Sequence, residues 1–359
     1  MAASRTFGST EFSYESLEFT GTGREYFRIW VINLALTVAT LGIYSAWAKV
    51  RRLQYFYRHT RLLGASFDFH GEPHAILRGR FIAVGLFILY STAGWVGPGF
   101  LIFVLAALAI CIPWLLYRAF RFRFGKTSYR GIRFRFLGSL PSSYWVFLGL
   151  PALSVLSLFI LTPFWHQRMR RYQHANAAYG DTQFAFSAPV GEFYVVYAAL
   201  AGVLIGVMFA AGGALLVAAF GAAIVASLTG GGVTDRADLL VFLPVFVVYA
   251  TGLVFLRAFA IARIQNLVWS HTRLGRVGFR NILEIRPLFR ILWVNLFATL
   301  VTLGLYRPFA QIRLAEYMIR SIRVSSPELV VEFASVAPEE SLTAVGDEAT
   351  EFFDVDIAL

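Results

Sequence analysis

Long apolar runs alternate along this chain with short stretches dense in arginine, and the alternation lays out seven apolar segments near residues 26–46, 81–97, 99–117, 144–165, 193–228, 239–256 and 289–306. Each is long enough to read as a membrane helix or a large part of one. The fifth runs 36 residues. At about 1.5 Å per residue it would measure roughly 54 Å against a hydrocarbon core of about 30 Å, so it either protrudes or breaks near Gly212-Gly213. Two connections carry the glycines of loops, Gly97-Pro98-Gly99 and Gly230-Gly231-Gly232.

The segments are not independent. The first and last match at a shift of 262, with Asn33-Leu34 on Asn295-Leu296, Thr37 on Thr299, and Thr40-Leu41-Gly42-Ile43-Tyr44 on Thr302-Leu303-Gly304-Leu305-Tyr306. The fourth is a degenerate copy at a shift of 117. It keeps hydroxyls at Ser154 and Ser157, then Arg168 for Arg51 and Tyr172 for Tyr55, and lacks the Thr-Leu-Gly step. A second unit follows five of the segments. Arg51, Thr60, Gly64, Phe67 and Phe69 recur as Arg118, Thr127, Gly131, Phe134 and Phe136. Weaker copies run from Arg168 to Phe184 and Phe186, from Arg263 to Thr272 and Phe279, and from Arg313 to Leu329 and Val331. Period-two alternation in Phe67-Asp68-Phe69, Phe134-Arg135-Phe136 and Phe184-Ala185-Phe186 predicts a helix end, a glycine turn and a short strand in each. Several such strands are expected to pair in one small cytosolic sheet.

The expected fold is therefore a polytopic, mainly α-helical membrane protein built from internal repeats, with short cytosolic β-strands. It divides into a polar N-terminal segment (1–17), a repeat-built membrane domain (18–333) and an acidic tail (334–359) with the composition of a disordered, solvated segment. At 58% apolar and 15% charged residues, a soluble enzyme is excluded, and Cys111, alone, excludes a disulfide scaffold. The N-terminus lacks the basic-then-apolar pattern of a cleaved signal peptide.

The stretch Asn33-Leu34, Thr37, Thr40 to Tyr44 and Trp47-Ala48-Lys49-Val50-Arg51, followed by Phe67-Asp68-Phe69-His70-Gly71, resembles the YjgN-type family of bacterial inner-membrane proteins, a conserved domain of unknown function. The resemblance covers about residues 15–333. It implies a bacterial inner-membrane location and carries over no activity. Ala46 departs from the family's proline before the tryptophan, which Pro163 and Pro308 keep in the later copies.

Charge bears on topology. The chain has net charge +11, and Lys49 and Lys126 are the only lysines among its 32 basic residues. Such basicity in a membrane protein points to cytoplasmic loops facing anionic headgroups rather than to nucleic acid. Segments one, four and seven are basic at both ends. If all three crossed fully, at least one arginine cluster would lie outside. Two topologies are open: these three are re-entrant, with both termini cytoplasmic and segments two, three, five and six spanning, or they are ordinary spans with a few arginines outside.

Two residue sets carry candidate chemistry. Asn33, Thr37 and Thr40 share one helix face, as do Asn295, Thr299 and Thr302. They read either as interhelical hydrogen bonds or as a polar path between pseudo-symmetric repeats. Arg51, Arg118, Arg168, Arg263 and Arg313 each fall just beyond the C-terminal end of an apolar segment. They read either as snorkelling anchors or as a ring of contacts to anionic headgroups or ligands. His70 and His74 flank a Glu72-Pro73 turn and make a poor metal site. His59 and His271, at matching helix ends, suit a structural role. No nucleophile elbow, phosphate loop or dinucleotide fingerprint occurs, and no cofactor or metal is implied. The function classes that remain are a lipid-headgroup-interacting or scaffold protein, with anionic lipids as partners, then a channel or transporter for a small solute, and third a membrane enzyme, for which no nucleophile or acid pair stands out.

Overall fold

The computed structural model describes residues 14–229 and 235–325. The mainly helical chain arranges five copies of one unit in which two helices are followed by a β-hairpin. Unit one has α1 (Gly23–Ala39), α2 (Ser45–His59), β3 (Thr60–Leu62) and β4 (Ala65–Phe69). Unit two has α3 (Pro73–Val96), α4 (Pro98–Lys126), β5 (Thr127–Tyr129) and β6 (Ile132–Phe136). In unit three the first helix is broken into α5 (Leu140–Tyr144), a π-helical turn (Trp145–Gly149) and α6 (Leu150–Leu156). It is followed by α7 (Thr162–Ala175), β7 (Ala177–Tyr179) and β8 (Thr182–Phe186). Unit four has α8 (Val190–Thr229), α9 (Asp235–Ser270), β9 (Thr272–Leu274) and β10 (Val277–Asn281). Unit five has α10 (Ile285–Val301), α11 (Arg307–Arg320) and β11 (Ile322–Ser325). Its second strand comes from the other end of the chain, as β1 (Tyr14–Ser16) and β2 (Glu18–Phe19).

The expected small sheet is one antiparallel ring. The eleven strands follow the order β1-β11-β10-β9-β8-β7-β6-β5-β4-β3-β2. Its two end strands are consecutive in sequence, separated only by Leu17, whose N–H donates to the Ile322 carbonyl (3.2 Å). Tyr14 pairs with Ser325 while Phe19 pairs with Thr60, so the N-terminal strand zips the last unit to the first. Closure leaves no bare sheet edge. The boundary expected between residues 17 and 18 falls inside this strand. The expected strand at Leu329 and Val331, like the acidic tail, lies outside the described residues.

Equivalence of the units extends to single bonds. The residue after each second strand donates its N–H to the carbonyl before the next first strand: Thr20 to His59, His70 to Lys126, Leu137 to Asn176, Ser187 to His271 and Ile282 to Ser321, at 2.7–3.1 Å. The alternation read in the sequence puts Phe67, Phe69, Phe134, Phe136, Phe184 and Phe186 on the buried face, with Tyr129 and Tyr179 among them. Two-residue turns close the hairpins, for example Leu63-Gly64 and Arg130-Gly131, both with positive φ as type I′ turns require. Gly21, Gly71 and Gly138 each follow a strand's last phenylalanine by two residues, and that ring occupies the space a Cβ would need. The Gly21-Thr22-Gly23 stretch is thus one more copy of the repeat.

The helices form a matching circle, with α11 against α1, α2 against α3, α7 against α8 and α9 against α10. Four of them, Pro73–Val96, Pro98–Lys126, Val190–Ile224 and Leu243–Ser270, are long and apolar enough to cross a membrane. They correspond to segments two, three, five and six. The other three of the seven segments do not form such helices, because each turns back on itself. The fifth segment does not break at Gly212-Gly213: α8 is one 40-residue helix packed along α9.

The three turn-backs share one geometry. Leu41 (φ 50°) and Gly42 (φ 93°) end α1 in the left-handed region, as Leu303 (φ 49°) and Gly304 (φ 94°) end α10. The third copy puts Leu158 (φ 51°) and Phe159 (φ 66°) there, so the turn survives without its glycine. Every amide from Thr40 to Ser45 has an acceptor: Leu36, Val38, Thr37 and Thr40 carbonyls, the Thr40 hydroxyl, and the Gly42 carbonyl. The same pattern holds from Thr302 to Arg307 and from Ser157 to Thr162. Backbone that leaves the helix within a lipid layer needs such internal satisfaction.

Candidate functional site

Each of the five arginines stands nine residues before the first strand of its hairpin, on α2, α4, α7, α9 and α11 respectively. The fold does not gather them into one pocket; it distributes them over the second helix of each of the five units, at the same distance from its hairpin. An aromatic residue precedes each by four positions: Trp47, Trp114, Phe164, Phe259 and Phe309. Three guanidinium groups lie over that ring, Arg118 on Trp114 (5.4 Å), Arg168 on Phe164 (5.0 Å) and Arg263 on Phe259 (5.4 Å). Arg51 lies instead over Tyr44 (5.6 Å). Arg313 lines a cavity of about 450 Å³ with Glu284, Glu316, Tyr317 and Arg320. Arg51, Arg263 and Arg313 are exposed, and Arg118 and Arg168 half-buried. A planar cation flat on an aromatic face keeps its edge donors free for a planar anion.

The hydroxyls of the polar stripes work mainly within their own helices. Thr37 Oγ1 donates to the Asn33 carbonyl (2.6 Å), Thr40 Oγ1 to Leu36 (2.7 Å) and Thr302 Oγ1 to Ala298 (2.7 Å). Thr40 and Thr302 then accept from the amides of Tyr44 (2.9 Å) and Tyr306 (3.0 Å). At Thr299 the carbonyl accepts from Gly304. Asn295, buried, donates from α10 to the Ala310 carbonyl on α11 (3.1 Å), an interhelical bond. Asn33 and Thr37 line a cavity of about 240 Å³ whose described lining includes nothing from the Asn295 stripe.

That cavity holds what sequence reading missed. Lys49 and Arg52 from α2 and Arg80 from α3 converge on it with no carboxylate among the described lining residues. Lys49 and Arg52 are neighbours on one helix turn, but Arg80 belongs to a different unit, so spacing gave no sign that it joins them. Arg80 Nη1 also donates to Ser45 Oγ.

The histidines serve the scaffold. His59 and His271 contact the carbonyls four residues back (2.7 and 2.9 Å) and lie 3.7 Å from Glu25 and Glu192, one arrangement in two copies. His70 bonds the Ser128 hydroxyl and His74 packs edge-on to Trp47. His174 sits between Phe186 and Trp269, and burial, with Arg170 adding, lowers its pKa to about 3. Burial likewise raises the Tyr179 phenol to about 12, and its hydroxyl donates to the Tyr129 carbonyl.

Similarity to known proteins agrees with this membrane architecture. The family model described as a bacterial protein of unknown function, DUF898, matches residues 14–352. The protein named inner membrane protein YjgN of Salmonella typhimurium is 34% identical over 153 residues, which cover 41% of this chain and 37% of that protein. Its namesake from Escherichia coli O157:H7 is 28% identical over 144 residues, 40% and 36% of the two chains. The matches thus span little more than a third of those relatives. No solved structure matches.

Proposed function

Because the chain belongs to the DUF898 family, whose function is unknown, its role has to be argued from its own geometry, and we propose that it is a multi-pass inner-membrane protein that binds anionic phospholipid headgroups through its arginine belt. The observation that carries this reading is a common ruler. Ten residues separate the turn leucine from the belt arginine in units one, three and five: Leu41 to Arg51, Leu158 to Arg168 and Leu303 to Arg313. At about 1.5 Å per residue each tip stands roughly 15 Å above the belt, half of a hydrocarbon core of about 30 Å. In unit two, Pro98 lies twenty residues from Arg118, and in unit four Asp235 lies twenty-eight from Arg263, or about 30 and 42 Å. With the belt at the headgroups, two units cross and three return from the midplane.

The tips support that depth. Leu41, Leu303 and Leu158 are 95%, 94% and 82% exposed, and their backbone donors are all paired, a combination suited to lipid and costly in water. Both termini of the described chain lie on one side, since Tyr14 pairs with Ser325. The excess of arginine at the ring favours the cytoplasm for that side. At the headgroup level, arginines backed by aromatic faces are placed to take phosphate bidentately, a binding role rather than a catalytic one.

The test replaces Arg51, Arg168 and Arg313 together by lysine and measures co-purified lipids by mass spectrometry. Loss of anionic lipid relative to wild type is expected, because lysine keeps the charge and loses the fork. An unchanged profile would reduce the belt to snorkelling anchors and move a solute path between repeats ahead of it. Topology is checked separately by single cysteines at Leu41, Leu158 and Leu303 in a Cys111→Ser background: labelling of any of them in intact cells by an impermeant thiol reagent would overturn the half-depth arrangement.

A further inference from the structure

A cavity of about 360 Å³ between α7, α8 and α9 has the size of a small-ligand site. Its polar groups can be assigned bond by bond. Arg170 Nε donates to His166 Nε2 (3.1 Å), and because a guanidinium only donates, that nitrogen is the acceptor of the ring. The ring hydrogen therefore sits on Nδ1 and goes to the Tyr197 oxygen, 2.9 Å away. Tyr197 is thereby an acceptor toward the buried His166, and its own O–H hydrogen has no acceptor among the described residues.

Arg170 is engaged by His166 and, through Nη1, by Gln173 (3.2 Å). Arg257, which lines the same cavity from α9, is held by nothing: it makes no hydrogen bond, ion pair or ring contact among the described residues. The unit does not need a cation at this place. Fifteen residues before the first strand, where Arg257 stands in unit four, units one, two and three have Ser45, Ile112 and Thr162, and unit five has Arg307. Arg257 lies within one of the spanning-length helices, six residues from belt residue Arg263, or about 9 Å toward the midplane. An ionised side chain at that depth is costly unless water or opposite charge reaches it, and such residues mark ligand or ion pathways.

Arg257 and Tyr197 thus bring free donors from two helices to one cavity, with no carboxylate among its described lining residues. Much of the remaining wall is apolar. Trp165 has its indole N–H taken by the Val146 carbonyl (2.8 Å) and offers only its ring, beside Met169 and Ile264. We infer that this cavity binds the oxyanion head of an amphiphile, a phosphate or carboxylate held by Arg257 and the Tyr197 hydroxyl, with the start of its hydrocarbon chain against Trp165, Met169 and Ile264. The inference rests on the proposed membrane depth, because the position of Arg257 inside the belt is what favours an amphiphile over a soluble ion.

The experiment follows the melting temperature of the purified, delipidated full chain in detergent during titration with octyl phosphate, octanoate, octanol or inorganic phosphate at matched ionic strength. A saturable rise with octyl phosphate or octanoate, and none with octanol or inorganic phosphate, is expected. In Arg257→Gln the half-saturation should move about tenfold upward, the loss of one charge-assisted hydrogen bond. In Arg257→Ile, which installs the residue that unit two has there, the response should vanish while the ligand-free melting temperature stays at or above that of wild type. A ligand-free Arg257→Ile variant that melts below wild type would make the arginine structural and overturn the site. So would an undiminished response in Arg257→Gln, an equal rise with octanol, or no saturable rise with any probe. An equal rise with inorganic phosphate would overturn the amphiphile as occupant and leave a site for a soluble oxyanion. Because Arg51, Arg168 and Arg313 are untouched, failure here is distinct from failure of the belt.

Discussion

Removing one hydroxyl from a turn tip tests whether that tip lies in lipid. Thr40 Oγ1 accepts from the Tyr44 amide at 2.9 Å and donates to the Leu36 carbonyl at 2.7 Å. Thr40→Val keeps the shape and strips the acceptor, leaving the Tyr44 N–H without a partner; the Leu36 carbonyl still accepts from the Thr40 amide (3.0 Å). If the turn were in water, solvent would take the orphaned N–H and the cost would be about 0.5 kcal/mol, the low end of a net hydrogen bond. At the bilayer midplane or in detergent tails no solvent replaces it, and an unmade bond costs about 1–3 kcal/mol. For a chain of this size that corresponds to a melting point lower by about 1–4 °C. Thr302→Val should do the same, and Thr40→Ser, which retains the oxygen, should melt within about 0.5 °C of wild type. The assay is thermal unfolding in mild detergent and in nanodiscs. A valine variant that melts with wild type would mean that the Tyr44 amide finds water, and the half-depth placement of this tip would fall with it.

Two other outcomes follow from the same geometry. Phe159 holds φ 66° where the other copies have glycine; Phe159→Gly should stabilise by up to about 1 kcal/mol, whereas Gly42→Ala should cost about 1–2 kcal/mol, although no atom lies within 4 Å of the added methyl. Thermal melts of the two single variants check both signs. His174 titrates at about 3 when folded against about 6.5 when unfolded, because burial disfavours its charge. Between those values the unfolded chain binds the extra proton, so this contribution is complete above about pH 6.5 and is lost as pH falls toward 3, with a slope of at most about 1.4 kcal/mol per pH unit. His174→Gln should flatten the dependence in denaturant or thermal scans between pH 4 and 6.5, and an unchanged slope would show that other groups set it.

Much of this architecture was legible without coordinates. Arginines at both ends set segments one, four and seven apart from the other four, and those four are the ones whose helices are long and apolar enough to cross a membrane. The repeat of Arg51, Thr60, Gly64, Phe67 and Phe69 gave the helix–turn–strand unit, since period-two burial and turn chemistry act between near neighbours. The Asn33 and Thr37 stripe was visible, although its work within a helix was not, because a hydroxyl four residues from a carbonyl looks the same in sequence whether it bonds its own helix or another.

What the chain concealed depends on contacts between distant residues. Tyr14-Glu15-Ser16 is too short to announce itself as the missing strand of the fifth hairpin, and its partner β11 lies some three hundred residues away, so ring closure appears only in the pairing of Tyr14 with Ser325. The continuity of α8 past Gly212-Gly213 was set by packing along α9, which outweighs the helix cost of two glycines. Lys49, Arg52 and Arg80 belong to ordinary arginine-rich stretches until α2 and α3 are laid side by side. Sequence fixes which residues share a face of one element; which faces meet is decided only when the five units close into a ring.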